Sequence, residues 1–247
     1  MKTLILLSMV STAMSMPANY TAAVSVPLVS FDGNPDTSFT FTEHDVPHSW
    51  PDKPPVSKAT WDVTDGYGVL DGEIDIEWHP TDTSGTPGGW PGNIRVTADG
   101  DFSNASTVSG GALVLMVRSS TPEYTGFRVS FGTTEKWKTT DEACSSDLGP
   151  NGNRGCYKAS FMVPAGNEFV PVRIPFSSFS GLWLYGSGSI FKTCSEATGE
   201  GSCKNPSSKD CPCIQSQSLG RMKSIDFWAE GVKGKVHLEV KSIVASA

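Results

Sequence analysis

The sequence predicts an all-β fold, a jelly-roll sandwich with two long disulfide-tied loops, and three observations predict it. Apolar and polar residues alternate with period two in short runs. The 25 glycines and 17 prolines punctuate those runs at turn-like intervals. No stretch of about ten residues carries a helical stripe with caps at its ends.

The predicted strands follow one another along the whole chain. Val26–Phe31, Ser38–Thr42, Ala59–Val63, Glu73–Trp78, Asn93–Ala98 and Ala112–Arg118 are each β-rich and bounded by Gly, Pro, Asn, Asp or Ser. Gly126–Phe131, Tyr157–Val163, Glu168–Pro175, Ser224–Ala229 and Lys235–Val244 continue the series. Arg128 to Phe131 and Val236 to Val240 alternate cleanly, the pattern of a strand with one packed face and one wet face. About ten strands of this kind suit two stacked sheets. Three segments read as loops: Pro47 to Pro55, Gly132 to Gly155 and Gly186 to Gly220. No internal repeat or linker divides the chain, so residues 28–247 are expected to form one domain after an extension over 16–27.

The first fifteen residues predict the compartment. Lys2 gives a positive start, Leu4 to Val10 is apolar but for Ser8, and Ala13-Met14-Ser15 offers small residues where a signal peptidase reads. Residues 1–15 therefore read as a cleaved secretory signal, and the chain as one for the cell exterior or the endomembrane lumen. No other apolar run approaches spanning length, so membrane insertion is not expected. The formal net charge of −7 without a basic run argues against nucleic acid as a partner. The expected state is a monomer.

Six cysteines follow: Cys144, Cys156, Cys194, Cys203, Cys211 and Cys213. An even count in an exported chain reads as disulfides. Cys144 and Cys156 flank one polar loop and are expected to pair. The remaining four share the second loop, where two bridges compete with a zinc site of less suitable spacing. Asn19-Tyr20-Thr21 and Asn104-Ala105-Ser106 fit the N-glycosylation sequon at Asn19 and Asn104.

Several stretches resemble the complex I intermediate-associated protein 30 family. Gly89-Trp90 through Asn93-Ile94-Arg95 is similar to its G-G-F-x-S-x-R strand entry, and Ala112 to Ser119 to its G-L-x-L-x-V-R strand. Tyr157-Lys158-Ala159-Ser160-Phe161, then Val170 to Phe176 and Phe179, resembles Y-x-A-x-F … V-x-I-P-F-x-x-F. Ile225-Asp226-Phe227 and Leu238 to Ile243 resemble its last two strands. Where that family carries D-P-V-M-G-G-x-S, this chain reads Asp45-Val46-Pro47-His48-Ser49-Trp50. The resemblance implies a galactose-binding-domain-like jelly roll and, for function, an assembly or scaffolding factor acting on a membrane complex.

The residues themselves point to other roles. Glu73-Ile74-Asp75-Ile76-Glu77 resembles the E-x-D-x-E strand of family 16 glycoside hydrolases, whose glutamates are nucleophile and acid/base. Alternation would put Glu73, Asp75 and Glu77 on one face, neighbours roughly 6–7 Å apart. A retaining pair needs about 5–5.5 Å, so the glutamates would lean inward around Asp75. The strand comes early in the chain, which favours a solvated acidic face over a catalytic one. No nucleophile elbow or phosphate loop occurs, and His44, His48, His79 and His237 lack metal-ligand spacing. No cofactor or metal is expected. Trp50, Trp90, Trp183 and Tyr185 lie in or beside loop segments, where rings can stack on sugars, while Trp61, Trp78 and Trp228 read as core. The expectation is a non-catalytic binding module for a glycan or a protein ligand.

Overall fold

The computed structural model describes residues 24–31, 38–44, 57–64, 66–79, 88–91, 93–133, 156–183, 188–190, 193–194, 213–214 and 216–247; for 38–44, 76–79 and 88–91 it describes the backbone alone. Among them are thirteen strands: β1 Ser25–Ser30, β2 Ser38–His44, β3 Lys58–Thr64, β4 Tyr67–Ile74, β5 Ile76–His79, β6 Gly88–Pro91 and β7 Asn93–Asp99. β8 is Ala112–Ser119, β9 Phe127–Thr133, β10 Cys156–Ser160, β11 Gly166–Pro175, β12 Met222–Glu230 and β13 Gly234–Ser246. The all-β sandwich expected from alternation is the fold observed.

Two antiparallel sheets form the body. The first runs β11-β8-β13-β4-β3, with β1 also on β13; the second runs β10-β9-β12-β7-β2. β13 holds the first sheet together, because its first half pairs with β4, its second half with β1, and β8 takes the opposite edge. β1 begins at Ser25, one residue before the predicted strand Val26–Phe31.

Alternation builds the core between the sheets. Leu70, Leu113, Leu115, Val117, Leu238 and Val240 point in from the first sheet, and Ile94, Val96, Phe127, Val129, Phe131, Ile225 and Phe227 from the second. Phe127 stacks on Phe161, and Phe131 meets Phe179 with ring centroids 5.3 Å apart. Phe176 opens a 3-10 turn after β11, Phe176–Ser178, Phe179 follows it, and both rings are buried, so the Pro175-Phe176 block closes one end of the core. Gly68 matters on the other flank. A Cβ there would overlap the Trp61 indole, so only glycine lets that ring lie against β4.

One expected strand breaks. Glu73–Trp78 reads as a single run, but β4 ends at Ile74 and β5 starts at Ile76 in a separate pair with β6. At the break the Asp75 backbone N–H donates to Ser57 Oγ at 3.1 Å, and Lys233 Nζ pairs with its carboxylate at 2.6 Å. The Ser57 hydroxyl takes the backbone N–H that a continuous strand would give to a ladder, and Lys233 holds the side chain.

Candidate functional site

The outer face of the second sheet concentrates the chain's buried charge. Directly opposed residues of an antiparallel pair share a face, so the register defines rows across it. One row runs Thr40, Thr97, Asp226, Ser130, Lys158; the next runs Thr42, Arg95, Trp228, Arg128, Ser160; Asn93 and Glu230 begin a third. An outer face normally meets water. Here Lys158 is 0%, Asp226 1%, Glu230 1% and Arg95 8% exposed.

The buried charges hold one another. Lys158 Nζ donates to Glu230 Oε1 at 2.6 Å. The ammonium lies 3.8 Å from the Trp183 ring centroid and 3.6 Å from that of Trp228, a cation between two π faces. The Asp226 carboxylate accepts from Thr97 Oγ1 at 2.6 Å and Ser130 Oγ at 3.0 Å, and Ser130 Oγ accepts the Trp228 indole N–H at 2.7 Å. Arg95 lies over the Trp228 ring at 5.1 Å. Burial pushes the Lys158 amine down to about 8, against the pull of Glu230. Burial likewise raises the Asp226 carboxyl, opposed by Arg95 and the two hydroxyl donors.

The described parts of 180–194 lie against this face as a strap. Ser180 pairs with Lys158 through two backbone hydrogen bonds of 2.9 Å, adding a bridge beyond the edge strand β10. Trp183 packs edge-on to Trp228 and pairs across to Ile190, which packs on the same indoles. Gly188, at φ 62°, passes so close to Glu230 that a Cβ would overlap its carboxylate. The Cys194–Cys213 disulfide, with Cα atoms 4.7 Å apart, anchors the end of the strap. The indole N–H of Trp183 is buried without an acceptor among the described residues. The face meets solvent at its edges, where Thr97 and Arg128 are half-buried and Asp99 and Ser160 exposed.

The structure redistributes the residues expected to act. Trp183 is 6% exposed with Lys158 against its ring, so it is no open stacking platform at a loop tip. Trp50 and Tyr185 lie outside the described residues, and Trp90 is described by its backbone, opposite Glu77 in the β5–β6 pair. Glu73 and Asp75 flank the strand break and Glu77 stands on the next strand, so the three carboxylates do not share one strand face. Cys194–Cys213 lies within the later cysteine cluster, as expected. Cys156 is disulfide-bonded as well; Cys144, Cys203 and Cys211 lie outside the described residues. Asn104 is exposed on a 3-10 turn, Ser103–Val108; Asn19 is outside the described residues. Among the described residues, no group of His, Cys, Asp and Glu is placed to hold a metal, and no helix is long and apolar enough to cross a membrane.

No family model and no curated protein matches the chain. Solved structures do. The family 11 carbohydrate-binding module of the cellulosomal cellulase Lic26A-Cel5E of Clostridium thermocellum is 12% identical, over 92% of this chain and 97% of that one, with a TM-score of 0.46. The Clostridium thermocellum family 11 module in complex with a beta-1,3-1,4-mixed-linked tetrasaccharide is 13% identical over 89% and 94%, with a TM-score of 0.45. The agarase AgWH50C is 8% identical over 90% of this chain but 24% of its own, at 0.43. What this chain's polar face binds is read from its own side chains.

The sequence carried a trace of that face. Asp226, Trp228 and Glu230 recur at every second position of β12, with Lys158 and Arg128 on neighbouring strands. Such a run reads as a solvated face, because nothing local says that a strap will lie over it.

Proposed function

We propose that the chain is a non-catalytic glycan-binding module that works outside the cell or in the endomembrane lumen, with the outer face of the β10-β9-β12-β7-β2 sheet as its binding surface. One observation carries this reading: polar side chains are held in register on rigid strands of one face, braced from within by Trp183 and Trp228, and Thr97, Arg128, Asp99 and Ser160 reach solvent at its edges. Sugar hydroxyls need polar partners held in fixed positions. Positioned carboxylates and guanidinium groups lose little freedom when a ligand arrives. The Asp226 and Glu230 carboxylates are each committed to donors, which suits orientation of a ligand better than proton transfer. The export reading follows from the leader-like residues 1–15 and the disulfides.

Affinity electrophoresis through gels containing soluble polysaccharides tests the reading. Retardation by at least one polymer is expected, reduced in Asp226→Asn, with a thermal melt showing that the variant folds. Unretarded migration through a broad glycan panel would remove the proposal. Recovery of a tagged full-length chain from cytosol or mitochondrial matrix would remove the export reading alone.

A further inference from the structure

We propose that the exported chain is N-glycosylated on Asn104 and that the glycan is added before the sandwich closes, an inference that rests on the export reading above and not on the binding face. Asn104-Ala105-Ser106 is an acceptor triplet, with no proline between its two ends. Such triplets arise often by chance, so the fold around this one decides whether it can carry a glycan.

The turn Ser103–Val108 sorts its residues by side. Ala105 and Val108 are 0% and 4% exposed and pin the turn to the core, while Asn104 and Thr107 are exposed. The Asn104 carbonyl accepts from Thr107 Oγ1 at 2.8 Å, which fixes the backbone without engaging the carboxamide. An oligosaccharide on that nitrogen displaces none of the core. It stands beyond the Met222 end of β12, where the Phe102 N–H donates to the Met222 carbonyl at 3.0 Å. The strap lies at the Glu230 end, roughly 25 Å away at strand rise.

Folding closes the triplet to a transferase. Ala105 goes under cover, and the Ser106 hydroxyl, which the triplet requires, donates to the Ser103 carbonyl at 2.8 Å. Apart from β1, the elements that hold the turn down are made late. It packs on the helical turn Ser216–Leu219, on β12 and on β13. These follow by roughly a hundred residues, so at about 5–20 residues per second the triplet stays open for on the order of ten seconds. An acceptor that is free during synthesis and faces outward afterwards suits transfer to the emerging chain.

The donor is an oligosaccharide carried on a polyprenyl pyrophosphate. Asn104 Nδ2 forms the bond to the anomeric carbon and gives up one proton. The bond from that carbon to the phosphate oxygen breaks, and the lipid pyrophosphate leaves with the electron pair.

The test translates the full-length chain in the presence of endoplasmic-reticulum microsomes, once with its own leader and once with a strong secretory leader in place of residues 1–15. Behind its own leader, protease-protected chain is expected to run heavier and to return to the unmodified mobility after peptide-N-glycosidase treatment. Asn104→Gln and Ser106→Ala are each expected to remove the shift of one glycan. Thr107→Ala, in the same turn but outside the triplet, is expected to remove none. A shift that remains in Asn104→Gln belongs to Asn19. Transfer precedes folding, so a variant that folds poorly still reports. Protected chain with no glycosidase-sensitive shift, or a shift that Asn104→Gln leaves whole, overturns the inference and leaves the export reading standing. Entry into the microsomes only behind the substituted leader overturns the export reading, and the modification of the native chain with it.

Discussion

The two outer faces of the sandwich carry similar side chains in opposite surroundings. On the first sheet Arg118 pairs with Glu239 at 2.6 Å and lies over Phe169 and Tyr67, which meet edge to face. His237 reaches Asp71 and Glu239 with its two ring nitrogens at 3.3 and 3.1 Å. Asp71 there is 61% exposed and Arg118 32%. On the second sheet Lys158 and Glu230 pair at the same 2.6 Å with 0% and 1% exposure. The bond lengths agree and the energetics do not. Water screens the first network, so its pairs add little, whereas the second must offset a large desolvation cost for each charge. A sandwich needs only the first kind of face to stay folded. The second is the one that requires a reason.

Breaking the buried pair is the sharpest way to test that contrast. Glu230→Gln leaves the Lys158 ammonium without its counter-charge, and the loss expected in urea denaturation is about 3–5 kcal/mol. Loss below about 1 kcal/mol would mean that water reaches the pair, and the two faces would then be alike.

The pH dependence separates them next. The Lys158 amine titrates at about 8 in the folded chain against an ordinary 10.5. Between those values the unfolded chain binds more protons, so stability due to this group rises with pH from about 8 and levels off near 10.5. The difference in unfolding free energy between the native chain and Lys158→Met should grow in favour of the native chain over that window, by on the order of 3 kcal/mol. A difference that stays flat from pH 8 to 10.5 would place the amine in solvent.

The strap supplies a smaller effect. Gly188→Ala meets both a left-handed backbone conformation and the Glu230 carboxylate, and about 1–2 kcal/mol of destabilisation is expected, read from the melting curve. Smallest of all, Arg118→Ala on the open face should cost under about 1 kcal/mol, a difference that shrinks further in added salt. A larger, salt-independent loss there would erase the distinction.

Alternation made the sandwich legible, and it made the buried face illegible. Val236 to Val240 and Arg128 to Phe131 point in and out as the pattern says, because each strand has one side in the core. The same rule sends Asp226, Trp228 and Glu230 outward, and it is blind to a covering segment supplied from some forty residues upstream on the chain. The break at Asp75 was hidden for a related reason. Glu-Ile-Asp-Ile-Glu has flawless period two, while the partners that end the strand there, Ser57 and Lys233, are remote in sequence. Trp183 was singled out for its place beside a loop, but local sequence does not tell whether such an indole faces solvent or a neighbouring ammonium. Tyr67 and Gly68 escaped the strand reading, since a glycine in a β run reads as a turn until the indole that needs its space is known.

The position of β13 bears on how such a chain is made. The strand that zips together β1, β4 and β8 stands after all of them in element order, so during vectorial synthesis its partners emerge with their central edges bare. Half a sandwich must wait, unpaired and prone to the wrong neighbours, until the final strand is threaded in. Shortening the strand at Val240 would strip β1 of its partner and most of β8 of its inner one, and the expected product is insoluble chain rather than a smaller domain.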